Sequence, residues 1–319
     1  MLGGLARRTS YILGERSRNG HMLVVDSGNL FSESALEKVT DQERKIADLL
    51  IKSYHRMGID AMNVGMTEAS MGPDFFNRPE VKKLPWISSN LVDGKGKYVF
   101  EPYLVRKVNS IRIGIIGLTC LQGDPVVKKK FGSNYSVVDP LSAARKVIRA
   151  ISEKVDVILL LACLVPDETR RLTAENPGIC FILGGGEGRT TVTPLRESDT
   201  PVLRSGKDGM YVGRLDLTCT ASVTQFLDAE EENKLHLEIQ GLEQRIAVMK
   251  KAWENRNSPA LEKMLGDLES KKSAAEQELI KICACSTETG KFLWSLVPME
   301  SDLPEDEAVL EWIREAGPE

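Results

Sequence analysis

The chain has 319 residues, 42% of them hydrophobic, enough for one large core or two ordinary ones. A formal net charge of -4 excludes the basic surplus of a nucleic-acid-binding surface. No apolar run reaches the about 18 residues of a membrane-spanning helix, and the opening MLGGLARRTS has no apolar signal core, so the compartment is left open.

In chain order, HMLVVDSGN (21–29) reads as a strand stopping in an Asp-Ser-Gly-Asn turn. An amphipathic helix follows, with Leu36, Val39, Ile46, Leu49, Leu50 and Tyr54 near one face, closing at Gly58. Further strands are expected at 60–65, 86–90, 98–108, 111–119, 155–163, 179–186, 200–205 and 211–219, with helices over 140–153 and 167–175. Several of these strands are apolar throughout, the mark of sheets covered on both faces, so the fold class is α/β. The basic cluster Lys128-Lys129-Lys130 reads as a solvated turn.

Near residue 225 the pattern changes. Leu235, Ile239, Leu242, Ile246, Met249 and Trp253 recur at spacings of four and three, the seam of a coiled coil. After the break ENRNSPA (254–260) a second run carries Leu261, Leu265, Leu268, Ala275, Leu279 and Ile282, with Lys272 interrupting its register. So short a turn makes the two helices an antiparallel hairpin, and a short strand and a helix from Pro304 to about Glu315 close the chain, docking back on a sheet.

The six cysteines, Cys120, Cys163, Cys180, Cys219, Cys283 and Cys285, show no Cys-x-x-Cys spacing, so neither a disulfide scaffold nor a zinc ribbon is expected. Cys283 and Cys285 leave a metal or redox alternative. The run FILGGGEGRTT (181–191) invites a phosphate-cradle reading, because side-chain-free N–H groups converge on anions, but it lacks the Gly-Lys-Ser/Thr ending of a P-loop.

The landmarks GGLARR (3–8), VVDSGN (24–29), NVGMTE (63–68), ISSNL (87–91), IGIIGLT (113–119), VDP (138–140), ILLLACL (158–164), FILGGGEG (181–188) and YVGRLDL (211–217) stand in a telling order. Together they resemble the UshA-type 5'-nucleotidases of the calcineurin-like metallophosphatase superfamily. The resemblance implies a four-layer α-β-β-α sandwich over residues 1–222 with its first strand missing. Residues 223–319 then form an appended coiled-coil hairpin (about 230–284) plus a strand and helix packing back on the domain. It also implies two divalent metal ions at the strand ends, held by carboxylates, imidazoles and amides, activating water against phosphate.

Against that pattern the chain keeps the frame and loses the ligands. Asn29 stands where a bridging Asp is expected, Met66 and Thr67 replace an Asn-His pair, Glu68 remains, Cys163 takes a His position, and Gly186 and Gly188 replace two more histidines. His21, His55 and His236 lie away from the strand ends. Glu68, Asn29, Cys163 and Glu187 belong to one end of the sheet but make a poor catalytic set, so no cofactor is expected, with a divalent metal there the weaker alternative.

Three readings stay open. In the first the domain has lost hydrolysis and acts in binding or assembly, with a small anion at Gly185, Gly186, Glu187, Gly188 and Arg189 and a protein partner or second copy on the hairpin. In the second, Cys120 and Cys163, both just past strand ends, do thiol redox chemistry or bind a soft metal, with a Cys motif ahead of Leu2 as in the degenerate, selenoprotein-containing UshA-like branch that this chain is similar to. The third is a divalent-metal phosphoesterase acting on nucleotides. The resemblance further implies an exported bacterial protein, periplasmic or lipid-anchored.

Overall fold

The computed structural model describes residues 4–37, 39–175, 178–184, 190–197, 200–220, 223, 225–256, 258–283 and 289–317. It divides into two compact units, Met1–Arg214 with Trp294–Glu319, and Leu215–Leu293. Residues 294–319 therefore belong with the N-terminal part of the chain.

In the first unit, helix α1 (Leu5–Arg18) precedes β1 (Val25–Asp26), and α2 (Asp41–Met57) leads to β2 (Ala61–Asn63). Three short helices, α3 (Met66–Ser70), α4 (Pro73–Asn77) and α5 (Pro79–Lys82), connect to β3 (Trp86–Ile87). β1, β2 and β3 form a three-stranded sheet, parallel throughout. Ala47, Ile51, Tyr54 and Met57 of α2 pack with Met62, Val64 and Trp86 into one core.

The chain continues through β4 (Leu91–Val92), β5 (Tyr103–Val108), β6 (Ile111–Thr119), α6 (Asp124–Phe131), β7 (Ser136–Val137), α7 (Pro140–Ile151), β8 (Val157–Cys163), α8 (Pro166–Glu175) and β9 (Phe181–Gly184). Then come β10 (Leu195–Glu197), β11 (Thr200–Leu203) and β12 (Tyr211–Thr218). Six strands form a second sheet in the order β10-β11-β9-β8-β6-β5, parallel in its centre and antiparallel at both edges. Leu141, Ala144, Val147, Ile148 and Ile151 of α7 cover Ile116, Leu118, Ile158 and Leu160 of its central strands. On the opposite face Gly117 comes so close to the first sheet that a Cβ there would lie 2.7 Å from Asn63 Oδ1 and 2.8 Å from Ile87 Cγ1.

The second unit contains β13 (Gln225–Asp228), α9 (Ala229–Arg256) and α10 (Pro259–Cys283). Leu242, Ile246 and Leu268 are buried between the two helices, with Met249 and Leu265 half-buried beside them. Lys250 pairs with Glu269 at 2.9 Å and Glu243 with Lys272 at 2.9 Å, so the helices run antiparallel, and the lysine that interrupts the apolar register is a cross-helix partner. β14 (Thr289–Pro298) pairs in parallel with β13 and leads back to the first unit, where α11 (Glu307–Ala316) ends the fold.

Several sequence expectations need correction. α2 begins at Asp41, because Thr40 and Glu43 form a reciprocal capping box; Leu36 lies in a 3-10 turn and Val39 outside the helix, so the buried face runs through Ala47, Ile51 and Tyr54. The strand expected over 98–108 starts at Tyr103, after Pro102, which has no N–H to give a ladder. α1 was not expected as a helix. α11 is capped by Asp306 at Val309 N, and it docks on helices rather than on a sheet: Arg56 of α2 grips Asp306 with two 2.8 Å bonds, and Lys52 lies 3.9 Å from the Trp312 ring centroid.

Candidate functional site

The carboxyl ends of β1, β2, β6 and β8 bring together most of the residues singled out from the sequence. Beyond β2 the chain turns at Gly65 into α3, whose first residues are Met66, Thr67 and Glu68. Beyond β1 it turns through Gly28, at φ 93, and Asn29, at φ 60. A side chain at Gly28 would put its Cβ 2.9 Å from Asn63 O, 3.0 Å from Gly65 N and 3.2 Å from Cys163 Sγ, so only glycine lets these turns meet.

Glu68 is fully buried and ties the two turns together. Its Oε2 accepts from Asn29 N at 2.9 Å and Gly65 N at 2.8 Å, while Oε1 accepts from Leu30 N at 2.6 Å and the Thr67 hydroxyl at 3.2 Å. Burial pushes its carboxyl above the ordinary glutamate range, against the pull of the Asn29 and Leu30 N–H groups. Asn29 answers in the other direction: its Oδ1 accepts from Met66 N at 2.8 Å and Thr67 N at 3.4 Å. The two side chains thus cap each other's turns.

Asp26, and Tyr54, which the sequence placed on the apolar face of a helix and not in the site, extend this network. Asp26 accepts from Gly28 N at 2.8 Å and from the Tyr54 hydroxyl at 2.6 Å. Asp26 stands in the same Asp-Ser-Gly-Asn turn as Asn29, a signal available in the sequence; Tyr54, 28 residues away, had none. Asn63, fully buried, donates to Ser27 O at 3.0 Å and Leu118 O at 2.8 Å, and its Oδ1 has no partner among the described residues.

Cys163 is buried and its thiol donates to Ser27 O at 2.9 Å. Burial, with the Glu68 charge next in weight, pushes that thiol well above its ordinary value; burial likewise raises Cys120. The register pairs Cys163 with Thr119, whose hydroxyl points to Val64 O in the first sheet, whereas Cys120, one residue on, joins the core under α7. The Cys163 thiol therefore faces the first sheet, whereas Cys120, one residue past the end of β6, packs under α7.

Gly185, Gly186, Glu187, Gly188 and Arg189 lie outside the described residues, as does Cys285. Of the histidines, His55 bonds Glu80 O at 2.6 Å, and His21 and His236 are exposed on the surface. Lys128 pairs with Asp124 within α6.

No family model matches the chain. Bacillus subtilis YfkN, described as a trifunctional nucleotide phosphoesterase, is 24% identical over 257 residues, which are 68% of this chain and 17% of that protein. A Vibrio cholerae 5'-nucleotidase is 27% identical over 165 residues, 50% of this chain and 29% of its own. Among solved structures, the calcineurin-like phosphoesterase YfkN superposes with a TM-score of 0.64 at 17% identity over 98% of this chain and 88% of that one. Thermus thermophilus sulfate thiohydrolase SoxB, in complex with glycerol, superposes with a TM-score of 0.67 at 16% identity over 99% of this chain and 46% of that one. In sequence and in fold, this chain resembles the UshA-like metallophosphatase superfamily. It spans less than half the length of the curated relatives it matches.

The metallophosphatase resemblance implies a pair of divalent ions, and the donor set does not fit them. Of the oxygens at the strand ends, those of Glu68 and Asn29 are taken up by backbone N–H groups and those of Asp26 by Gly28 N and the Tyr54 hydroxyl; Asn63 Oδ1, which has no partner among the described residues, is a neutral amide oxygen, and the Cys163 thiol is engaged with Ser27 O. Thr67 turns its hydroxyl to Glu68 and Phe31 N, and Met66 offers only a thioether. Among the described residues no group of three His, Cys, Asp or Glu side chains is placed to hold a metal ion.

Proposed function

We propose that this chain is a metallophosphatase-fold protein that has exchanged paired-metal hydrolysis for a role in binding or assembly. One observation carries the reading: both oxygens of Glu68 are occupied by N–H groups of the strand-end turns, so the retained acid works as an internal cap. Two dications need a bridging anion, and a neutral amide at residue 29 supplies none. The close approach of the two sheets at Gly117, with helices outside each, supports the four-layer arrangement, and the buried line Leu242, Ile246 and Leu268 supports a coiled-coil hairpin as the element presented to a partner or second copy. The nucleotide substrates of the relatives remain a property of those proteins, whose likeness supports an extracytoplasmic location here. No helix among the described residues is long and apolar enough to cross a membrane.

The test is a phosphatase and phosphodiesterase assay with added manganese, run beside elemental analysis of the dialysed protein. Neither turnover above a denatured control nor metal near two equivalents per chain is expected. Turnover abolished by Glu68→Ala, with stoichiometric manganese in the unmutated protein, would overturn the reading.

A further inference from the structure

Arginines that are partly withdrawn from solvent in the first unit find acceptors. Arg7 reaches Glu305, Arg16 reaches Asp60, Arg106 donates to Asp60 O and Arg214 reaches Glu15. Arg8, half-buried as well, differs: among the described residues its guanidinium takes part in neither a hydrogen bond nor an ion pair, and its Nε, shut off from solvent, has no acceptor among them. A charged donor set left in this state points to a missing acceptor.

Its surroundings hold it in one orientation. The guanidinium carbon lies 5.6 Å from the centroid of the Tyr54 ring, and that ring is itself fixed by its hydroxyl bond to Asp26 at the end of β1. On another side stands Gly209, at φ 60, where a Cβ would sit 3.3 Å from Arg8 Nη1. The neighbouring acids do not use the arginine: Asp26 is bonded by Gly28 N and Tyr54, and Glu68 by the turn amides. A guanidinium held near an aromatic face is limited in orientation, and its planar set of N–H donors suits two-point contact with an oxyanion.

We propose that Arg8 is the recognition residue of an oxyanion-binding site at the Tyr54 end of β1, taking a phosphate or a carboxylate group. It deepens the binding reading above by naming a ligand class, and it stands or falls without reference to hydrolysis.

The experiment titrates inorganic phosphate and, separately, acetate against chloride at constant ionic strength, with thermal melting as the readout. Saturable stabilisation by phosphate or by acetate is expected, weakened at least tenfold in Arg8→Gln and unchanged in the exposed control Arg44→Gln; the anion that acts identifies the group. Should Arg8→Gln fail to fold, the Nε resonance of Arg8 is followed by 15N NMR in the unmutated protein, where a saturable shift is expected. No saturable response to either anion, or full retention in Arg8→Gln, overturns the proposal. A negative result here alongside absent hydrolysis would remove this site while leaving the loss of paired-metal chemistry intact.

Discussion

Truncating Glu68 to alanine separates a capping role from a ligand role. The side chain satisfies three backbone N–H groups, of Asn29, Leu30 and Gly65, and one hydroxyl, all in a site closed to solvent. Leaving a buried donor unpaired costs about 1–3 kcal/mol, and water entering the vacated space recovers part of it, so a net loss of about 3–5 kcal/mol is expected. For a unit of this size that corresponds to a fall in Tm of roughly 6–20 °C, at about 2–4 °C per kcal/mol. Glu68→Gln should not rescue, because one carboxylate oxygen becomes an NH2 group facing N–H donors. The assay is equilibrium urea unfolding with and without manganese, using the exposed Glu153→Ala as control. A loss under about 1 kcal/mol, or a stability of the unmutated protein that rises with manganese and ceases to do so in the variant, would refute the capping argument.

Gly28→Ala forces a left-handed backbone on a side chain that collides with Asn63 O and Gly65 N; a loss of roughly 2–5 kcal/mol is expected in the same urea assay. Cys163 and Cys120, buried and raised in pKa, should resist alkylation in the native protein and react only as urea opens the fold, read by mass spectrometry of labelled peptides. For Asp306, burial pushes the carboxyl up but the Arg56 guanidinium and Val309 N–H outweigh it, holding it below the ordinary aspartate range. Its contribution is therefore present at neutral pH and lost as the pH falls through that lowered value, so the stability gap between the unmutated protein and Asp306→Asn should close on acidification, measured by melting across the acid range. Leu268→Ala, in the buried line of the hairpin, should lose about 2–5 kcal/mol, seen as faster hydrogen exchange in α9 and α10.

The parts of the fold legible in the sequence were those set by short-range pattern. β6 was read to the residue because its isoleucines and leucine, broken only by Arg112 and two glycines, mark a strand covered on both faces over most of its length. Leu242 and Ile246 were legible as one face of α9 because they stand four residues apart, and they are buried beside Leu268 of α10. α1 was not, since its buried residues Ala6, Thr9 and Ile12 are small, polar and apolar in turn. The candidate site was legible as a set of positions and opaque as an arrangement. That Glu68 spends its oxygens on the turn amides, that Tyr54 anchors Asp26, and that Cys163 faces the first sheet while Cys120 packs under α7 all depend on contacts between distant segments.

The bidentate grip of Arg56 on Asp306 joins residues 250 positions apart. A ribosome will have released both helices of the second unit, α9 and α10, before α2 can receive this partner. The first unit therefore matures as a late closure reaction, with the Lys52 and Arg56 flank of α2 exposed to chaperones and proteases until α11 arrives.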